Sequence, residues 1–439
     1  MSFGTGLSGL NASAKNLDVI GHNIANANTI GMKGGRAEFS EMFANSLGAA
    51  GGSTGGIGVA VATVATQFTQ GNLKITGNNL DTAINGEGLF KVRMTDGSTA
   101  YTRDGEFKLD KNGYIITNAG AKVQGYMPTT IGGTIPTGIT SDLKLPTSQA
   151  IEPKQTLGST ATDPGISLTA NLPSNSVAAA YTPPTAPADL PDSEKKYATS
   201  INVYDTEGNA IPVRISFLHT GTGPAVWTAV ASVYNETTQA WAHETAGTIQ
   251  FGADGKPDPA TPPTLAITPA LLAADAVKPG VPSASWPANV AIGVGDATAG
   301  WTLTQYDSSY AINELSQTGY ASGELTSISV NEQGIIMANY SNGKNMGAGQ
   351  FALARFRNVQ GLTTVNGGYF QESSTSGQPV EGQPTSGRFG SVRSGALEES
   401  NVDLTAELVN MIVAQRAYQA NAQTIKTQDQ VQSTLVNLR

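Results

Sequence analysis

The sequence predicts a mainly β, multidomain protein with long α-helical termini, and three observations carry that prediction. Apolar residues repeat at helical spacing at both ends, short alternating runs fill the middle, and proline is concentrated in one internal stretch. At 439 residues the chain exceeds what one core holds, so two to four domains of about 100–150 residues each are expected. Turn formers dominate, with 51 glycines and 22 prolines, while aromatic residues make up only 7%. That balance suits extended β modules joined by tight turns.

At the N-terminus Phe3, Leu7, Leu10, Ala14, Leu17, Gly21 and Ile24 follow a 4,3 spacing that draws one stripe along a helix. Near the C-terminus Leu404, Leu408, Met411, Gln415, Tyr418, Ala422 and Ile425 repeat that spacing, and Leu435 follows further on. Ser400 or Asn401 is the expected N-cap of this second helix, with acidic residues beside its positive dipole end. A long helix with a narrow apolar seam gains its stability in water from packing, so these helices need partners. Between the ends, Phe90 and Val92 interleave with Lys91 and Arg93, and Phe107 and Leu109 with Lys108, as in half-buried strands. An acidic or amide residue followed three later by glycine predicts β-turns at Asp110–Gly113, Asp205–Gly208 and Asn331–Gly334.

Eighteen of the 22 prolines lie between Pro146 and Pro287, in a stretch that leads on to Trp301 and contains the other three tryptophans. It reads as a separate inserted domain over 146–305, with proline-rich runs such as 256–263 as loops or edges. The glycine-rich segment 48–58 reads as a flexible connector.

The same residues exclude several functions. With no cysteine there are no disulfides and no thiolate nucleophiles or ligands, and His22, His219 and His243 are too scattered to predict a metal site. Charged residues make up 13% and the net charge is -9, the opposite of a nucleic-acid surface. Gly4, Gly6 and Gly9 spell a dinucleotide-type GxGxxG, but no strand precedes them; small residues that let helices approach closely explain them better. Adjacent carboxylates such as Glu398 and Glu399 read as helix-dipole and surface charges rather than an acid–base pair. No cofactor is expected and the chain does not read as an enzyme. No apolar stretch is long enough to span a membrane, and the first residues lack the features of a cleavable signal. Asn23, Asn26 and Asn28, in HNIANANTIGMK, are placed to close the end of the first helix.

Three segments resemble the axial proteins of the bacterial flagellum, the family of rod, hook and hook-associated subunits. SGLNASAKNLDVIGHNIANANTIGMKG resembles the family's N-terminal signature, with Asn23, Asn26, Asn28, Gly31 and Lys33 in its closing turn. GNNLDTAINGEGLFKV with YTRDGEFKLDKNGYIIT is similar to its shared strand motifs, and SGALEESNVDLTAELVNMIVAQRAYQANAQTIKTQDQ to its C-terminal signature. Distal rod subunits are shorter, so the insert at 146–305 favours the hook type over the rod type. A secreted β-rich adhesin or surface-layer protein is the rival from another class, and the heptads at both ends argue against it.

The resemblance implies a nested architecture. Residues 1–30 and 399–439 form a helical assembly domain paired as a coiled coil, 31–70 a linker, 71–145 with 306–398 an inner β domain, and 146–305 an outer β domain. It implies a homopolymer that bends while transmitting torque, with the stripes Leu7, Leu10, Ala14, Leu17, Ile24 and Leu404, Leu408, Met411, Tyr418, Ala422, Ile425, Leu435 as assembly interface. The implied partners are the distal rod, the hook cap, the hook–filament junction proteins and the flagellar type III export apparatus. No nucleic acid is among them, and the implied location is extracellular, after export without a cleaved signal.

Overall fold

A computed structural model describes residues 3–43, 56–136, 138–146, 150–158, 163–178, 181, 189–192, 194–221, 225–235, 239–272, 289–298 and 300–437. The chain divides into two compact units, one of residues 1–149, 325–339 and 343–439 and the other of 150–324 and 340–342. Strands dominate both. The division lies at Glu324 rather than near 305, because Ala311–Gln317 pairs antiparallel with Ile166–Pro173 and so completes a sheet of the second unit.

In the first unit a large sheet runs through Leu325–Val330, Ile335–Tyr340, Asn345–Phe351, Lys122–Tyr126, Leu89–Arg93 and Thr99–Thr102. Alternation explains its core, since Phe90 and Val92 are fully buried while Arg93 faces out. The rings of Phe90, Phe107 and Phe351 meet with centroids 5.1–5.6 Å apart, an aromatic cluster at edge-to-face and stacked distances. All three expected turns form alike. At the first, Asp110 Oδ1 accepts from the amides of Asn112 and Tyr114 at 2.8 and 2.7 Å, so one side chain closes the connection between two strands. Asp205 does the same for Glu207 and Asn209, and Asn331 for Ile335.

Region 31–70, expected as a linker, holds a long antiparallel hairpin of β1 (Gly35–Phe43) and β2 (Gly56–Thr66). The β-branched alternation of residues 59–64 makes it a strand despite the glycines before it. Most of the 48–58 connector lies outside the described residues, and its last three belong to β2.

The second unit is two sheets with a shared core. One is the antiparallel meander Ala198–Tyr204, Ala210–His219, Val226–Asn235 and Ala240–Gln250; the other is built around Ile166–Pro173. Ile166, Leu168, Ala170 and Leu172 alternate inward to meet Val213, Ile215 and Phe217, with Trp227 fully buried among them. The proline-rich 256–263 run forms turns beside the meander, as its composition requires. Trp286 lies outside the described residues.

Candidate functional site at the junction of the terminal helices

The N-terminal helix, Phe3–Ala25, lies antiparallel against the C-terminal helix, Leu404–Asn437, with Gly6 beside Ile425 at one end and Asn23 bonded to Glu407 at the other. The seam differs from the predicted stripe. A Cβ on Gly6 would stand 3.1 Å from Ile425 Cγ1, and one on Gly9 would stand 3.0 Å from the Asn421 amide, which itself donates to Ser13 Oγ at 3.2 Å. Small residues set this close approach, while Leu7 is exposed and Leu10, Ala14, Leu17 and Ile24 are half-buried. On the opposite helix Met411, Ala422 and Ile425 are half-buried, but Leu404, Leu408 and Tyr418 face outward. Leu435 lies in the last turns of that helix, and its side chain is outside the described residues.

The C-terminal helix starts later than expected. Asp403 is its N-cap, Oδ1 accepting from the amides of Thr405 and Ala406 at 2.8 and 3.2 Å. Asn401 instead straps two backbone segments together, its Oδ1 accepting from the Gly34 amide at 2.8 Å and its Nδ2 donating to the Gln67 carbonyl at 2.7 Å. Asn23 acts similarly from the other helix. Its amide exchanges two hydrogen bonds with the Gly35 backbone, each 2.8 Å, imitating one rung of a β-ladder. Asn26 closes the first helix, Nδ2 donating to the His22 carbonyl at 3.0 Å, and Asn28 is exposed.

Beneath the signature turn three charges are buried together. Lys33, Arg103 and Glu398 have side-chain exposures of 1, 7 and 0%. Glu398 bonds Lys33 through Oε1 and Arg103 through Oε2, the latter at 3.0 Å, and Oε1 also accepts the Gly71 amide at 3.0 Å. Lys33 Nζ donates to the Thr69 carbonyl at 2.8 Å, and Arg103 donates to the carbonyls of Ile84 and Gly86 at 3.2 and 2.6 Å. The Glu398 carbonyl accepts the Gly31 amide at 2.8 Å. Burial pushes the Lys33 ammonium and the Arg103 guanidinium down from their ordinary values, with Glu398 opposing in both cases. Gly31 sits at φ +69°, and a Cβ there would be 2.4 Å from the Asp104 amide nitrogen, so only glycine fits.

The cluster therefore ties the turn after the first helix to the β core and to the strand that leads into the last helix. Gly31 and Lys33 were legible as a signature, whereas nothing in the sequence pattern set Arg103, Glu398 and Asn401 in this cluster. Also missed were Val409, Ile412 and Val413, which with Leu404 and Leu408 make a broad outward apolar face. Pairs at 408/409 and 412/413 were the available signal, because they widen a stripe beyond a coiled-coil seam. Among the described residues no group of three or more His, Asp and Glu side chains is arranged to hold a metal ion. No helix there is long and apolar enough to cross a membrane.

Comparisons with known proteins match this layout part by part. Residues 3–33 match a family described as flagella basal body rod protein, and 83–154 the flagellar hook protein FlgE/F/G D1 domain. Residues 171–320 match the flagellar basal body protein FlaE D2 domain, and 393–438 the flagellar basal body rod FlgEFG protein C-terminal family. Helical ends latched onto a β core, in that order of matches, define an axial subunit of the bacterial flagellum. The chain is 38% identical over 440 residues to the flagellar hook protein FlgE of Escherichia coli K12, covering all of both chains. It is 38% identical over 448 residues to that of Salmonella typhimurium LT2, again covering all of both. To that of Borreliella burgdorferi it is 31% identical over 454 residues, covering 99% of this chain and 98% of the other. Within the axial class, the chain belongs to the flagellar hook protein family.

Proposed function

We propose that copies of this hook subunit polymerise into a curved, flexible tube that passes torque from rod to filament as a universal joint, with residues 1–30 and 399–439 as the association elements. The observation that carries this reading is the outward apolar face of the C-terminal helix, where Leu408 and Val413 are 51 and 62% exposed. An apolar stripe of this kind on an exposed helix is an interaction surface. Leu7, Leu10, Ala14, Leu17, Ile24, Leu404, Leu408, Met411, Tyr418, Ala422, Ile425 and Leu435 contribute to the contacts between copies, where the helices pair as a coiled coil. The polar run NAQTIKTQDQVQ suits a helix facing a wet channel. The architecture is nested along the chain, the proline-rich unit being inserted within the sequence of the first. No bond is made or broken in this work, so it requires no cofactor. Its partners are further copies, the distal rod, the hook cap, the junction proteins and the type III export apparatus that delivers it outside the cell.

A fragment lacking 1–30 and 399–439 tests the assembly reading. It is expected to form no tubes by electron microscopy under conditions in which the full chain does. Robust tubes from the fragment overturn the assignment of association to the ends.

A further inference from the structure

The first unit carries a cleft of about 530 Å³ whose lining includes Arg103 of the junction but neither Lys33 nor Glu398. Its floor is Leu89, Ala354 and Phe356, flanked by Phe68 and Val359. These belong to a small aromatic cluster, with Phe68 and Phe370 ring centroids 5.1 Å apart and Tyr101 and Phe356 4.8 Å apart. Val380 on the lip is 56% exposed. Around the rim stand Arg355, Arg357 and Arg388 against one carboxylate, Glu87, which accepts from Arg355 and Arg388 at 3.2 Å each. Arg357 is exposed and makes no ion pair among the described residues. An aromatic floor inside a guanidinium rim suits a segment that offers apolar side chains flanked by carboxylates.

Another part of the same unit offers such a segment. On β1 and β2, Phe39 and Val61 are register partners and both are exposed, as is Met42. Glu38 and Glu41 flank them, and Glu41 is exposed with no ion-pair partner among the described residues. The cleft opens at the root of this hairpin, where Gln360 Nε2 donates to the Thr66 carbonyl at 2.9 Å. Phe39 and Met42 lie further out, roughly 13–23 Å along the strand from Gly35 at ~3.3 Å per residue. The hairpin is held against the N-terminal helix, where a Cβ on Gly58 would stand 2.2 Å from Ser8 Oγ. It cannot fold back into its own cleft.

We infer that the arginine-rimmed cleft receives the Phe39 face of the hairpin, which Glu41 shares by strand alternation, from a second copy of this chain. Donor and acceptor are different surfaces of one molecule, so the contact is heterologous and repeats head to tail instead of closing a pair. This rests on the polymer reading above and gives it one specific joint, bound by apolar contact and by Glu41 facing the rim.

The cysteine-free chain makes the joint testable in assembled tubes. Full-length chain carrying F39C and V380C together, oxidised after assembly, is expected to give a ladder of disulfide-linked dimers and higher oligomers that neither single variant gives. Tubes without the ladder overturn the cleft assignment and leave the polymer reading standing, whereas failure of the unaltered chain to form tubes defeats the polymer reading. Tyr306 is an exposed residue of the second unit, so a ladder from Y306C with V380C, and none from F39C with V380C, assigns the cleft to the second unit of another copy and overturns the proposal. If the cysteine pair blocks assembly, charge exchange decides: R357E is expected to lower tube yield several-fold and E41R to restore it. No loss with R357E, or no restoration, counts against the joint.

Discussion

At the terminal junction of the first unit three charged side chains are buried together, while at the centre of the second unit Trp227 is buried in a largely apolar core, its ring against those of Tyr197 and His219. The two regions are equally closed to water but are held by different physics. Apolar packing is non-directional and rewards filled volume, so the second unit depends on how well its two sheets interdigitate. A buried carboxylate between two cations is directional, and its desolvation cost is offset only when each bond is made. The junction thus contributes less cohesion than the sandwich and more register, fixing where the signature turn sits on the β core.

Glu398→Ala is the change most able to break that comparison. It leaves Lys33 and Arg103 buried without their counter-charge, a loss of about 3–5 kcal/mol with the upper end expected for two stranded cations. Thermal unfolding should show the first unit melting early while the second keeps its transition, and tubes should be absent by electron microscopy. An unchanged first transition would show that the triad is incidental to the fold. Trp227→Ala is the converse test, costing about 3 kcal/mol or more through the cavity it leaves. Here the second unit's transition should fall and tube formation should persist. Gly31→Ala comes next at about 2 kcal/mol, from the left-handed backbone and the Cβ forced against Asp104. Its signature is a lower urea midpoint of the first unit with an unaltered second, and equal midpoints would refute the steric account.

The smallest effect sharpens the role of charge through pH. Burial raises the Asp104 carboxyl from 3.8 to about 6, with Glu106 and Asp81 adding to the rise. A carboxyl with a raised value binds its proton more tightly in the fold, so its stabilisation is fully present below about pH 4 and is lost as pH climbs through about 6. Asp104→Asn should therefore match the parent near pH 4 and exceed it near pH 8 by about 1–2 kcal/mol, the roughly 3 kcal/mol of so large a rise being reduced by solvent screening at a partly exposed site. Equal urea midpoints at the higher pH would contradict the assignment.

Much of this architecture was legible because it is local. The turns at Asp110, Asp205 and Asn331 each need only a side chain and a glycine three residues on, and the strands announce themselves by alternation. The helices were equally plain, but not their seam, because Gly6, Gly9 and Ser13 carry no hydropathy signal while the visible leucines lie elsewhere on the surface. β1 and β2 were hidden by the glycines between them. Glu398 could not be found by spacing, since its partners Lys33 and Arg103 are 365 and 295 positions away along the chain. Beside Glu399 it looks like one more helix-flanking acid.

Where those partners sit in the chain has a consequence for the order of events. Ser391–Ser394 pairs with Thr82–Asn85 and Ala396–Glu398 with Leu73–Ile75, so the first unit is fastened by strands from the far end of the chain. Such long-range closure is slow, because the loop must close before the contact rewards it. A chain synthesised N-terminus first has Lys33 and Arg103 made before the carboxylate that sits between them, and until then both cations stay in water. Only when Glu398 has been made can they be buried, and the late strands Ser391–Ser394 and Ala396–Glu398 act as the catch that shuts the unit.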